Sequence, residues 1–447
     1  MTESLWLLIA LFVSIIFIIL GTTRWKLHPF LVLLLASYLA GMLSGIAPAS
    51  ISSVIARGFG DIMATIGIVI VLGTLIGTIL EKSNAAIRLA NLILKVVGKR
   101  FPGLAMSIIG YIVSIPVFCD SGYIILSSLK KSLVYKTRKP SVMLSIALAT
   151  GLYATHTFVP PTPGPIAAAG NLGLNEHLGI VIPVGLIVAA TSMFAGYLWA
   201  LVAGKKFTSA EDHQVFDEAA EQVLPLPSAT KSLLPILVPI ILIAFRSIAT
   251  YPSFPLGRGF IFAFFDFSGQ PVNALFIALL LSFWLLPSFN KDTLTGWIGD
   301  GITAAAPILL ITAAGGAFGA VLKEAGIGDT LGQMLVEYKL GIFLPFIIAA
   351  AFKTAQGSST VSMVATSALI APLLSSIGLD SLNGKVLAVM AIGAGAMTVS
   401  HANDSYFWVV TNFGALKPEQ GYKTQTMVTL IEGIAAMIGV FILSLIL

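Results

Sequence analysis

From Val386 to Val399 the chain runs without a charge, and from Tyr406 to Val410 the apolar character resumes. Between these runs stand Ser400, His401, Asn403, Asp404 and Ser405. An ionisable group inside an apolar span is costly to bury, so a span that keeps several marks a binding or ion site. The cluster also constrains the fold. Bent or unwound backbone at membrane depth survives only where protein buries it or where it lines a cavity.

The rest of the chain agrees with a membrane setting. Hydrophobic residues make up 57% of the 447 positions and charged residues only 10%, against about 25% charged in a soluble domain. Apolar runs of about 20 residues recur, which suits spanning helices rather than the alternating strands of a barrel. The reading is an all-α polytopic membrane protein. The net charge of +5 does not point to nucleic acid, because the basic residues sit in short loops between apolar runs. The single cysteine, Cys119, excludes an internal disulfide and reads as a packing residue. No basic segment precedes the first apolar run, Leu5 to Leu20, which therefore reads as a span and not as a signal peptide. No cofactor and no metal are expected.

The apolar pattern predicts helices at about 5–23, 29–43, 62–80, 141 to a break at Thr155–Pro165, and 178–203, followed by a mixed-charge cytoplasmic linker over 204–230. The second half repeats the first. Gly73 and Gly77 match Gly315 and Gly319 at an offset of 242, and Thr155-His156 matches Ser400-His401 at 245. Both Gly-x-x-x-Gly pairs read as close helix packing. The chain thus divides into repeats over 1–203 and 231–447. Each holds five crossing helices and one interrupted segment, at about 104–131 and 345–375, or about ten transmembrane helices and two hairpins in all. If the interrupted segments are re-entrant, five crossings invert the second repeat relative to the first, the design of secondary transporters. Charge placement supports this. With both termini outside, eighteen Lys and Arg fall on the inside and six on the outside, with Lys353 inside the second hairpin.

Four polar breaks carry the candidate chemistry. The first, around Asp120, Ser121 and Gly122, offers a carboxyl for a proton and a helix start for capping. The second, from Thr155, His156 and Thr157 through Thr162, carries four prolines between Pro160 and Pro165 and predicts extended chain facing a hydroxyl-rich ligand. The third holds Lys353, Gln356, Ser358, Ser359 and Thr360; Lys353 either attracts an anion or snorkels to the surface. The fourth is the opening cluster, where His401 and Asp404 titrate and Asn403 hydrogen-bonds. Broken helices add free backbone groups and dipole ends able to hold a carboxylate.

Three stretches together resemble the gluconate permease family, the gluconate:proton symporters that also include D-serine and other sugar-acid carriers. They are Thr155-His156-x-Phe158-Val159-Pro160-Pro161-x-Pro163-Gly164-Pro165, Ala355-Gln356-Gly357-Ser358-Ser359-Thr360-Val361 and Ser400-His401-x-Asn403-Asp404-Ser405-x-Phe407-Trp408. The resemblance covers almost the whole chain. It implies a multi-pass carrier of the bacterial cytoplasmic membrane, importing a small hydroxy-carboxylate such as gluconate with protons. It also implies a homodimer working as an elevator, in which a part carrying the two hairpins slides past a fixed scaffold. Gluconate-type members often carry Glu where Asp120 stands and His where Thr162 stands, so the substrate is open. On this reading the substrate meets Ser121, Gly122, Thr155, His156, Thr157, Thr162, Lys353, Gln356, Ser358, Ser359, Thr360, His401 and Asn403, and Asp120 and Asp404 carry the proton. The alternatives are a sodium-coupled carboxylate or D-serine carrier and, more remotely, an intramembrane hydrolase using a Ser with His401 or His156.

Overall fold

A computed structural model of the chain describes residues 2–97, 101–213, 226–250, 256–326, 340–401 and 404–447. These are helical throughout, with no strand among them. Asn403 lies outside the described residues, as do Lys99, Arg100 and Lys339 of the charge pattern and much of the expected linker. Proline sets many of the boundaries. Pro29, Pro48, Pro102, Pro163, Pro271 and Pro418 each stand in the first turn of a helix, where the missing N–H would be unpaired anyway and the fixed φ suits the helix.

The first half opens with α1 (Thr2–Thr23) and α2 (Pro29–Leu43). The next helix begins earlier than expected. α3 (Pro48–Ile62) runs through a π turn at Met63–Gly67 into α4 (Ile68–Lys82). Its first part buries Ile51, Val54, Ile55 and Gly58 and leaves Ser52, Ser53 and Arg57 exposed. That polar face hid it from a reading that looked for unbroken apolar runs. The basic stretch that follows is itself a helix, α5 (Ala85–Val97), bent 72° from α4.

Both interrupted segments fold as helix–turn–helix pairs. The first joins α6 (Pro102–Val113) to α7 (Cys119–Thr137), with Pro116 in the turn. α8 (Ser141–Phe158) and α9 (Pro163–Asn171) are separated by a short break, and α10 (Leu178–Lys206) completes the half. The extended chain expected over Thr155–Pro165 is confined to Val159–Thr162, because Pro163 sits where a helix start tolerates proline.

In the second half come α11 (Ala229–Ala249), the bent pair α12 (Phe260–Ser268) and α13 (Pro271–Ser282), and α14 (Ile298–Glu324). The second hairpin joins α15 (Phe343–Gln356) to α16 (Ser359–Ile370). α17 (Leu382–Met397) and α18 (Ser405–Phe413) form the second broken helix. α19 (Pro418–Gly421) passes through a π turn into α20 (Met427–Ser444). The order of hairpin, broken helix and final long helix over α6–α10 recurs over α15–α20, where α19, the π turn and α20 make one helical run. The two sets interlock: α16 packs on α9, and α7 packs on α18.

Among the described residues five helical runs are long and apolar enough to cross a membrane alone, and up to seven if each bent pair is one span. The first broken helix, Ser141–Asn171, is among the five, while α2, α6, α15, α16 and α17 are apolar but shorter than a span, so the count stands below the ten expected.

The start of the expected linker is built into the fold. Glu211, in the turn Ala210–His213, is buried and accepts from Lys130 Nζ (Oε1 at 3.1 Å) and from the Ser141 hydroxyl. Asp212 accepts from the Ser141 and Ser209 N–H groups at 2.7 and 2.8 Å. Lys130 also donates to the Phe413 carbonyl at 2.8 Å. It is a fully buried cation, where the charge pattern suggested a loop residue.

Small residues let α6 and α8 nest. A Cβ on Gly110 would stand 2.7 Å from the Leu148 carbonyl oxygen and from the Leu152 nitrogen, while one on Gly151 would run into the Ser107 carbonyl. Gly73 faces Pro161 and Gly77 faces Pro116, so the first Gly-x-x-x-Gly pair receives both breaks of its half. Gly315 and Gly319 receive Val364 and Ala368 of α16. The expected outcome for Gly151→Val is overpacking of at least about 1–3 kcal/mol, read as a lower unfolding temperature in detergent. Gly299→Ala, which meets open space, leaves that temperature unchanged.

Candidate functional site

A cavity of about 390 Å³ lies where both hairpins and both broken helices meet. Phe118, Cys119 and Asp120 come from the first hairpin, Gly357 to Val361 from the second, Tyr153 and His156 from α8, and Asp404, Ser405 and Tyr406 from the start of α18. Pro307, Ile308 and Ile311 of α14 form an apolar wall. The first turns of α7, α16 and α18 all reach this space. A helix N-terminus presents unpaired N–H groups and about half a positive charge, so their convergence makes an anion-seeking environment without a free cation.

An ion pair closes one side. Lys353, completely buried, places Nζ 2.6 Å from Asp404 Oδ2. Its ammonium also donates to the Gly357 carbonyl, and the Ser400 hydroxyl donates to the same Asp404 oxygen. Asp404 Oδ1 accepts from the Tyr406 N–H at 3.1 Å and so caps α18. Lys353 lies 5.6 Å from the centroid of the Tyr153 ring, and Tyr153 stacks on Tyr406 at 5.0 Å. Gly357 has φ +89°, a conformation that favours glycine, and this turns its carbonyl toward the ammonium. The unwound backbone at Ser400 is satisfied by side chains: its N–H donates to Thr429 Oγ1 at 2.9 Å, and its carbonyl accepts from Thr426 at 2.6 Å.

Asp120 has no such cation in contact. The Ser405 hydroxyl donates to its carboxylate, while Oδ1 is buried without a partner among the described residues. His156 is in the same condition. Its ring stacks on Tyr153 at 6.4 Å, and its Nδ1 is buried and unpartnered among the described residues.

The structure brings Asp120, His156, Ser358, Ser359, Thr360 and Asp404 to the cavity. Other candidates fall elsewhere. Thr155, Thr157 and Thr162 are buried with their hydroxyls turned to the carbonyls of Gly151, Tyr153 and Val159. Ser121 donates to Glu81, and Gly122 packs against Leu152. Lys353 neither snorkels nor lines the space, because Asp404 holds it. His401 Nε2 lies 2.8 Å from the Thr354 carbonyl, away from the lining. Gln356 ends α15. Tyr153, Tyr406 and the α14 wall were not anticipated. Tyr153 is three residues before His156 on one helix face, a spacing that pointed to it. Nothing in the sequence pointed to Pro307 and Ile311.

The sequence profile described as GntP family permease matches residues 6–446. The gluconate permease of Pseudomonas aeruginosa is 30% identical over 100% of this chain and 99% of its own. The D-serine transporter DsdX of Escherichia coli K12 is 32% identical over the whole of both. Among solved structures, the YdaH transporter of Alcanivorax borkumensis superposes with a TM-score of 0.66 at 14% identity, covering 93% of this chain and 97% of its own. MtrF of Neisseria gonorrhoeae, from a class of antimetabolite efflux pumps, does so with 0.68 at 14%, covering 93% and 94%. Those two likenesses are of fold alone. The match over nearly the full length settles the class of protein: this chain is a membrane permease, not an enzyme, and it belongs to the GntP family.

Proposed function

We propose that the protein imports a small hydroxy-carboxylate, gluconate or a related sugar acid, together with protons across a bacterial cytoplasmic membrane. The observation that carries this reading is the meeting of three helix N-termini and two carboxyl groups in one cavity of about 390 Å³, a size that encloses a small ligand. The substrate carboxylate lies against the first turns of α7, α16 and α18. Its hydroxyls meet His156, Ser358, Ser359 and Thr360.

Charge balance gives the coupling. With Asp120 and Asp404 both ionised, Lys353 answers only one of them, and an entering carboxylate adds a further buried anion. An uncompensated buried ion costs several kcal/mol. A proton on Asp120 lightens that cost, and a second on Asp404 frees Lys353 to face the substrate. Substrate and proton then enter together because each makes the other cheaper to bury.

The ion pairs are consistent with the inverted topology in either orientation, and the positive-inside count favours both termini outside. Lys82 pairs with Asp300, Arg246 with Glu176 and Asp266, and Lys130 and Lys131 with Glu211. Each joins residues that the positive-inside count puts on one side. The interlocking of α7 with α18 and of α9 with α16 supports a hairpin-bearing part that moves as one body, the elevator arrangement. A homodimer belongs to the same reading.

In proteoliposomes, an inward proton gradient without sodium is expected to drive uphill accumulation of labelled gluconate. Uptake driven by sodium alone would instead establish the sodium-coupled alternative, and competition by glycerate, other sugar acids and D-serine ranks the substrates. Asp120→Asn is expected to lower gradient-driven accumulation at least about tenfold, the effect of removing about 1.4 kcal/mol of coupling; undiminished accumulation would sink the proton role. Lys353→Met leaves Asp404 buried without its cation and is expected to cost about 3–5 kcal/mol of stability, seen as a lower unfolding temperature. The double variant Lys353→Met, Asp404→Leu is expected to regain most of that stability but not transport.

A further inference from the structure

Three acidic side chains are buried among the described residues: Glu211, Asp404 and Glu432. Glu211 has Lys130 and Lys131, and Asp404 has Lys353. Glu432 has no cation. It stands near the middle of the 27-residue helical run Pro418–Ser444, fully buried, and neither carboxyl oxygen finds a hydrogen-bond partner among the described residues. Among the described residues this is the costliest carboxyl to keep ionised, and neither the cavity nor the coupling argued above uses it.

Its surroundings are polar but not charged. α20 packs against α8, α10 and α17. From α10, the Ser192 hydroxyl donates to the Glu432 backbone carbonyl at 3.2 Å, and Gly196 leaves the room that the Glu432 side chain occupies, with its Cγ 3.0 Å from where a Cβ would stand. From α8, Thr150 borders the same space. From the end of α17, Thr398 packs against the neighbouring Gly433. Among the described residues the Tyr406 phenol, at the cavity, feels the charge of an ionised Glu432. Gln425, two turns earlier on the same face, is buried with its amide unpartnered among the described residues. Between them Thr429 receives the Ser400 N–H, and the Ser400 hydroxyl donates to Asp404.

We propose that Glu432 is a proton-carrying site of the transport cycle, lying behind the substrate cavity. A bare carboxylate here would be an uncompensated buried charge, so the neutral acid is the form that fits this arrangement. Release of the proton requires another arrangement, in which water reaches the carboxyl, accepts the proton and hydrates the carboxylate left behind. The broken helix at Ser400, held by α20 through Thr426 and Thr429, is the element whose movement supplies it. Loading and release at Glu432 are thereby tied to the state of Asp404. This inference rests on the proton-coupled reading above.

Glu432→Gln keeps the shape and removes the proton. Labelled gluconate is followed in proteoliposomes in two ways, as uphill accumulation driven by an inward proton gradient and as exchange at equal pH on both sides. Accumulation is expected to fall at least tenfold while exchange stays within about twofold of the parent. Unchanged accumulation overturns the assignment and leaves the coupled reading standing. Parallel loss of accumulation and exchange marks a packing role and also overturns it. A parent protein that shows exchange but no gradient-driven accumulation overturns the coupling itself, and this site with it. If the variant cannot be purified, infrared spectra of the parent labelled with ¹³C-glutamate decide the matter. A protonated glutamic acid band that is present at neutral pH and shifts on gluconate addition is expected; a missing or unresponsive band overturns the proposal.

Discussion

The Lys353–Asp404 pair is the interaction on which the site depends. It ties the second hairpin to the second broken helix, and each of its supports comes from a place where regular helix has ended. Gly357 supplies a carbonyl from a positive-φ turn, Ser400 a hydroxyl from unwound chain, and Tyr406 an N–H from a helix start. A buried pair is weak evidence for stability by itself, because desolvation offsets much of the attraction. On the proposed function the pair makes better sense as chemistry. A site that takes an anion needs a cation nearby, and an empty site needs that cation neutralised.

The pair can sit there only because the broken backbone around it is satisfied. Thr426 and Thr429 take up both backbone groups of Ser400, and Ser358 caps α16 by accepting from the Val361 N–H. Glycine then lets the first hairpin seat closely against α4 and α8. Gly77 lies against Pro116, and Gly151 lies against the Ser107 carbonyl. The Glu211 cluster works at the other end of the same elements, holding α7, α8 and the end of α18 together through Lys130 and Ser141. Polar groups are thus concentrated where three or more elements must keep one relative position, and apolar packing serves elsewhere.

This arrangement explains what the sequence could reveal. Breaks are legible because proline, glycine and polar residues interrupt an apolar run, and so both hairpins and the stretch at Ser400 stood out. The direction of a side chain at a break is not legible. Thr155 and Thr157 are hydroxyls on a helix, and a buried helical hydroxyl satisfies itself on a carbonyl three or four residues back. Lys353 could have pointed to substrate or surface; only the fold shows that Asp404, 51 residues away, claims it. The segment from Pro48 to Ile62 was missed for the opposite reason, since its polar face breaks the apolar run without breaking the helix. The α14 wall lay beyond reach because Pro307 and Ile311 are ordinary residues in an apolar span.

Three ways of burying a carboxyl therefore coexist in one chain. Glu211 is fixed by two lysines at the end of a helix bundle, where nothing is gained by releasing it. Asp404 is held by one lysine beside the cavity, and on the proposed function that lysine also faces the entering anion. Glu432 has no lysine among the described residues, and the proposal gives it a proton instead. The first behaves as structure because its partners cannot leave. On the proposed function the second and third are each balanced by something mobile, an entering anion or a proton, and Ser400 and Thr429 connect them through the same length of unwound chain. A coupled carrier of the kind proposed must make two ligands enter and leave together, and that requires buried charges whose compensation changes between states. The Lys353–Asp404 pair and the bare Glu432 meet this requirement in complementary ways, while the Glu211 cluster is too well satisfied to take part.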